Sequence, residues 1–240
     1  DATTGLVTQS SPYVLSSSLA VAEAQSASYK GGSFDLTGTS GAAGTFTING
    51  SGGGETISPE DGVGIGELIA ISGGDEADVL RGEAAGEVIR GLLGNDQLFG
   101  GGGTDLLYGN VGLDILYGNQ GNDTMFGGKD TDIAFGGQDA DVAYGNLGAD
   151  FAYGNNGNDT LYGGAGNDTL FGGKDDDVLF GNADDDTLFG NVGADTLTGG
   201  AGSDRFALTA NQGADIVTDF NIAQGDQVLA FAQNTISEVN

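Results

Sequence analysis

Residues 163–171 read Gly163-Gly164-Ala165-Gly166-Asn167-Asp168-Thr169-Leu170-Phe171, and seven nonads earlier stands Gly100-Gly101-Gly102-Gly103-Thr104-Asp105-Leu106-Leu107-Tyr108. The same pattern divides everything from Gly73 to Ala207, 135 residues, into fifteen nonads without an insertion. The first position is glycine in all fifteen, and the eighth is always apolar, as in Leu98, Met125, Leu161 and Phe206. The sixth is aspartate in fourteen, Glu87 being the exception. Glycine makes up 48 of the 240 residues. The fixed period shows that this richness serves a repeated backbone shape rather than a low-complexity linker.

Positions 1, 2 and 4 are mostly glycine or asparagine, residues that tolerate left-handed backbone. The first six positions therefore read as a tight loop and positions 7–9 as a short strand. Alternation sends position 8 to one face and positions 7 and 9 to the other. Two nonads make a coil of eighteen residues, and coils stack at roughly 4.8 Å. The expected fold is all-β: a parallel β-roll, that is, a two-sheet β-solenoid, of about 7.5 coils and about 36 Å. Its core is thin, since Ala134, Ala143 and Ala152 occupy position 8 in three successive nonads. One buried methyl is worth about 0.8 kcal/mol, against about 1–2 kcal/mol of backbone entropy per ordered residue. Something besides apolar burial must hold the roll together.

The nonad resembles the glycine-rich, calcium-binding repeat of the RTX (haemolysin-type) family, over a little more than half of the chain. The resemblance implies that calcium ions lie between stacked loops, held by the position-6 aspartates of both and by loop carbonyls of positions 2 and 4. The matching residues are Asp78, Asp96, Asp105, Asp114, Asp123, Asp132, Asp141, Asp150, Asp159, Asp168, Asp177, Asp186, Asp195 and Asp204. Nonads two apart stack, so Asp96 meets Asp114 and Asp150 meets Asp168. The bland alternative for a single such aspartate is an Asx-turn residue; fourteen in register favour the metal. The first two nonads, with Glu76 and Ala85 at position 4 and Glu87 at position 6, read as a weak or non-binding end. At Asp130, Asp139, Asp175 and Asp184, which replace the position-4 glycine, an added ligand and a solvated carboxylate remain equal alternatives. The Asn-Asp-Thr triplets at 122, 158 and 167 match a glycosylation pattern by coincidence, since each lies inside a loop.

Charge agrees. The chain carries 35 acidic and 6 basic residues, a net of −29. The nonads hold 24 acidic and 5 basic, a net of −19, which on the order of ten divalent ions neutralise. Such a charge excludes nucleic acid as a partner. There is no histidine and no cysteine. That removes zinc, thiolate chemistry and the common catalytic triads, and leaves oxygen-bound calcium. We expect no enzymatic activity. No apolar run is long enough for a membrane span, and a chain beginning at Asp1 reads as a processed or excised form.

The sequence divides into a Ser/Thr/Gly-rich arm and N-terminal cap (1–72), the repeats (73–207) and a C-terminal cap (208–240). Strand-like pieces are expected at Phe34–Leu36, Thr45–Ile48 and Glu67–Ile71. Others are expected in Gly213–Phe220 and Gly225–Leu229, which resemble the segment that closes RTX rolls. Position 9 is aromatic in eleven successive nonads, from Phe99 to Phe189. Such rings either stack for stability or form two exposed contact stripes, for a second copy of the chain or for polysaccharide. The expected function is a secreted, calcium-binding structural protein, extracellular or at a bacterial cell surface. It would self-associate into a filament, sheath or surface layer, with residues 1–60 bridging protomers. The alternative is the export-and-folding module of a larger secreted enzyme or toxin, of the kind exported by type I secretion.

Overall fold

The computed structural model describes residues 69–82, 86–209 and 212–231, together with five strands nearer the N-terminus. Those are β1 (Tyr13–Val14), β2 (Gln25–Tyr29), β3 (Ser33–Leu36), β4 (Phe46–Gly50) and β5 (Thr56–Pro59); β6 (Ile69–Ser72) follows. The fifteen nonads then supply fifteen strands, from β7 (Val79–Arg81) to β21 (Arg205–Thr209). The chain closes its described part with β22 (Ile216–Val217) and β23 (Gln227–Phe231).

Successive strands alternate between two parallel sheets. Odd-numbered strands form a sheet of twelve and even-numbered strands one of eleven. Among the described residues there is no helix. Within the nonads the register is eighteen residues, as expected: Leu107 pairs with Met125 and Leu161 with Leu179. The stack is longer than seven and a half coils, because both flanks continue it. Thr56 pairs with Val79 and Gln25 with Phe46, which makes N-terminal coils of 23 and 21 residues. At the other end Thr196 pairs with Ile216 and Arg205 with Gln227. The strands within 1–72 thus add to this chain's own sheets.

Strands are also longer than three residues. Most run for six, over positions 7–9 and then positions 1–3 of the next nonad, as in Leu106–Val111 and Thr169–Lys174. Position 1 is therefore a strand residue, and its φ is not positive; only positions 2 and 4 are left-handed. The invariant glycine there answers to space instead. A Cβ on Gly145 would collide with the Asp150 carboxylate and with the Gly163 carbonyl of the next coil. The core is the position-8 column, Leu80 through Phe206, with Ile71 extending it into β6. The three alanines Ala134, Ala143 and Ala152 are buried in this column with the leucines.

The position-9 rings stack face to face within each sheet. Nine neighbouring pairs have centroids 4.5–5.0 Å apart and planes within 13° of parallel. Each ladder begins under an arginine: the Arg81 guanidinium lies 3.8 Å from the Phe99 centroid, and that of Arg90 5.2 Å from Tyr108.

Candidate metal centre

Along each edge of the roll the position-6 side chains form a column pointing inward. The Asp114 backbone N–H donates to Asp132 Oδ1 at 2.8 Å, Asp132 N–H to Asp150 Oδ1 at 2.7 Å, and Asp150 N–H to Asp168 Oδ1 at 2.8 Å. The other edge repeats this from Asp105 through Asp123, Asp141 and Asp159 to Asp177. One carboxylate oxygen thus locks each loop to the loop before it. The second oxygen, Oδ2, is buried and has no hydrogen-bond partner in any of the thirteen aspartates from Asp96 to Asp204. Buried polar atoms are nearly always satisfied, and a buried unpaired charge is costly. A regular column of orphaned carboxylate oxygens calls for a cation.

A hard, oxygen-seeking divalent ion fits these residues. Position-4 carbonyls lie along the stack, Gly94 O against Gly112 of the next coil and Asp130 O against Gly148. Position-2 carbonyls do the same, Asn110 O against Gly128. Among the described residues no three acidic, histidine or cysteine side chains converge on a point. A site here combines one or two carboxylates with backbone carbonyls, a donor set that suits calcium.

Burial raises the carboxyl pKa values. A backbone N–H from the neighbouring coil opposes the rise, and adjacent carboxylates add to it in most loops. Asp132, Asp141, Asp177 and Asp186 are pushed up to about 8. Asp114, Asp123 and Asp168 reach about 7. Asp96, Asp105, Asp150, Asp159 and Asp195 reach about 6, and Asp204 is also raised. Without a counter-ion Asp132, Asp141, Asp177 and Asp186 resist ionisation at neutral pH.

The structure thus places Asp96 through Asp204 alike and sets Asp78 apart. Asp78 Oδ2 accepts the Gly74 N–H at 2.7 Å. Glu87 keeps its place in the column, donating its N–H to Asp105 Oδ1 at 2.7 Å. The side-chain oxygens of Asn122, Asn158 and Asn167 accept loop amides of the next coil. Two residues outside the fifteen nonads extend the columns. Asp215 Oδ1 accepts Asp195 N–H at 3.2 Å, and Asp226 Oδ1 accepts Asp204 N–H at 3.1 Å. Their spacings of 20 and 22 residues hide them from a strict period of nine. Gly213-Ala214-Asp215-Ile216 nevertheless repeats positions 4 to 7 of a nonad.

The rhythm at position 2 also has a physical basis. Up each edge asparagine and glycine alternate: Asn110, Gly128, Asn146, Gly164, Asn182, Gly200. Each asparagine takes φ of 72–83° and donates its side-chain amide to the carbonyl of the aromatic residue two before it, Asn146 to Tyr144 at 3.3 Å for example. Its own carbonyl is then so close to the next coil that a Cβ at that position would collide, as at Gly164. The structural unit is two coils, or four nonads.

A family model described as the RTX calcium-binding nonapeptide repeat (4 copies) matches in overlapping windows, 70–98, 84–116, 99–134, 108–143, 135–170, 144–179 and 171–206. No curated protein matches the chain. Among the described residues no helix is long and apolar enough to cross a membrane. With windows running unbroken over more than half of its length, and the repeated loops stacked as above, the chain belongs to the RTX calcium-binding nonapeptide repeat family.

Proposed function

We propose that this chain is a secreted structural roll that folds when it meets extracellular calcium and then associates with copies of itself into a filament, sheath or surface layer. The observation that carries the calcium part is the column of thirteen buried aspartates, each with one oxygen unpartnered. Asp96 through Asp204 are assigned as ligands, with Asp78 the weakest contributor because its carboxylate has an internal partner. The family supports secretion, since its repeats are typical of exported bacterial proteins, and so does the millimolar calcium that extracellular modules use. No enzymatic role is assigned: the chain has no histidine or cysteine, and its buried carboxylates are accounted for as ligands.

The charge pattern supports self-association. Positions 7 and 9 between Gln97 and Thr198 carry no charged residue and, Gln97 apart, hold Ile, Val, Leu, Thr, Phe and Tyr; the strands' charges there are Lys129 and Lys174 at position 3. The acidic residues of these nonads lie in the loops. Neutralising the loops removes the repulsion between two such slabs. Sugar binding on the ladders has less support, because apart from the ladder ends each ring face is covered by the next ring. Far-ultraviolet circular dichroism in chelator and in millimolar calcium tests folding; a β spectrum unchanged by excess chelator rejects the calcium reading. Sedimentation velocity at high protein concentration and saturating calcium tests assembly. A monomer there replaces the structural reading with the export-and-folding module of a larger secreted protein.

A further inference from the structure

Resting on the calcium reading above, a ranking of the sites follows from four loops that depart from glycine at position 4. Asp130, Asp139, Asp175 and Asp184 take φ of 73–76°, whereas glycines at the same position reach 104–157°. Two of these side chains have fixed partners. Asp139 Oδ2 accepts the Gly121 N–H at 3.2 Å, and Asp184 Oδ2 accepts the Gly166 N–H at 3.1 Å. Each reaches back across the gap between two coils. The gaps they straddle are those between Asp123 and Asp141 and between Asp168 and Asp186, each joined by a 2.8 Å bond.

Asp130 and Asp175 hold the same position and the same backbone conformation beside the gaps between Asp114 and Asp132 and between Asp159 and Asp177, so four pairs in all have a position-4 carboxylate next to them. Both position-6 carboxylates of each pair are at most 2 % exposed and present an unpartnered Oδ2. No three carboxylates converge on a point among the described residues. The position-4 groups therefore contribute their field rather than a ligand atom.

We propose that these four loop pairs are the tight calcium sites and that loading begins there. Calcium affinity rises with the negative charge around a site, and a carboxylate well inside a Debye length is felt by the ion. The four pairs fall at two levels of the stack, one on each edge at each level, so that a whole coil is pinned from both sides. Sites between and beyond them fill afterwards, each on a neighbour already ordered.

Calorimetric titration of the full chain with calcium alone tests this. Asp139→Asn with Asp184→Asn removes two position-4 charges, and asparagine tolerates the left-handed backbone. The control, Asp176→Asn with Asp185→Asn, removes two charges from the neighbouring position, whose side chains accept the Ala194 and Ser203 amides of the following coil. We expect two affinity classes in the parent chain, four ions in the tighter. The first variant loses two of the four to a class about tenfold weaker, while the control keeps all four. A single class in the parent, or equal effects of the two variants, overturns the ranking and leaves calcium binding standing. No calcium uptake at all rejects the calcium reading itself.

Discussion

At the scale of the residue, position 6 does two jobs with one side chain. Oδ1 fastens a loop to its predecessor, and Oδ2 stays buried without a hydrogen-bond partner, the atom we propose as the calcium ligand. Asp150 sits mid-stack, accepting from Asp132 and donating its own N–H to Asp168. Replacing it by alanine removes a carboxylate that borders two gaps. The calcium midpoint for folding, followed by circular dichroism, is expected to rise about tenfold for Asp150→Ala. The same change at Asp78 is expected to move it little, since that carboxylate closes on Gly74 of its own loop. Equal shifts would contradict the shared-gap arrangement. The buried aspartate column from Asp96 to Asp204 was legible in the sequence because residue class and spacing repeat together. Asp215 and Asp226 were not, because their coils lengthen and only contact across the stack reveals them.

Strands and loops form elements that are half of a coil each, and they constrain one another across coils. Gly164 takes φ of 119° against the carbonyl of Asn146. Gly164→Ala meets both a disfavoured backbone region and a collision with backbone that has no free direction in which to move. We expect a loss of about 2–4 kcal/mol, read as a lower melting temperature in saturating calcium. Asn146→Gly loses one side-chain hydrogen bond to Tyr144 and is expected to cost about 1 kcal/mol. If the two variants melt together, the two-coil unit is not a constraint. The sequence displays the Asn/Gly alternation, but its cause lies in a close approach between residues eighteen apart. Position 1 shows the same gap between pattern and reason: glycine is demanded there by the carboxylate beside it, not by its φ.

For the molecule as a whole, the raised carboxyl pKa values couple folding to protons as well as to calcium. In the metal-free roll Asp132, Asp141, Asp177 and Asp186 titrate at about 8 and others at about 6 or 7, all above the ordinary 3.8. The folded state therefore holds protons that the unfolded state releases. Their stabilising contribution is complete below about pH 4 and is lost as pH rises through 6 to 8. Chelated protein is expected to gain β structure on going from pH 8 to pH 5, while the calcium midpoint rises because protons compete for the same oxygens. A chelated chain equally unfolded at both pH values would contradict the burial of these groups. The sequence by itself determined the repeat, the parallel two-sheet roll, the position-8 core and the calcium-binding family, because each is a periodic choice of residue type that fifteen copies make unambiguous. Tertiary structure alone decided that the flanks continue the same sheets in coils of 20 to 23 residues. It decided, too, that strands extend through position 3 and that one oxygen of each aspartate is already used. Strand pairing and hydrogen bonding are settled between residues eighteen or more apart, where irregular loops leave no period to read.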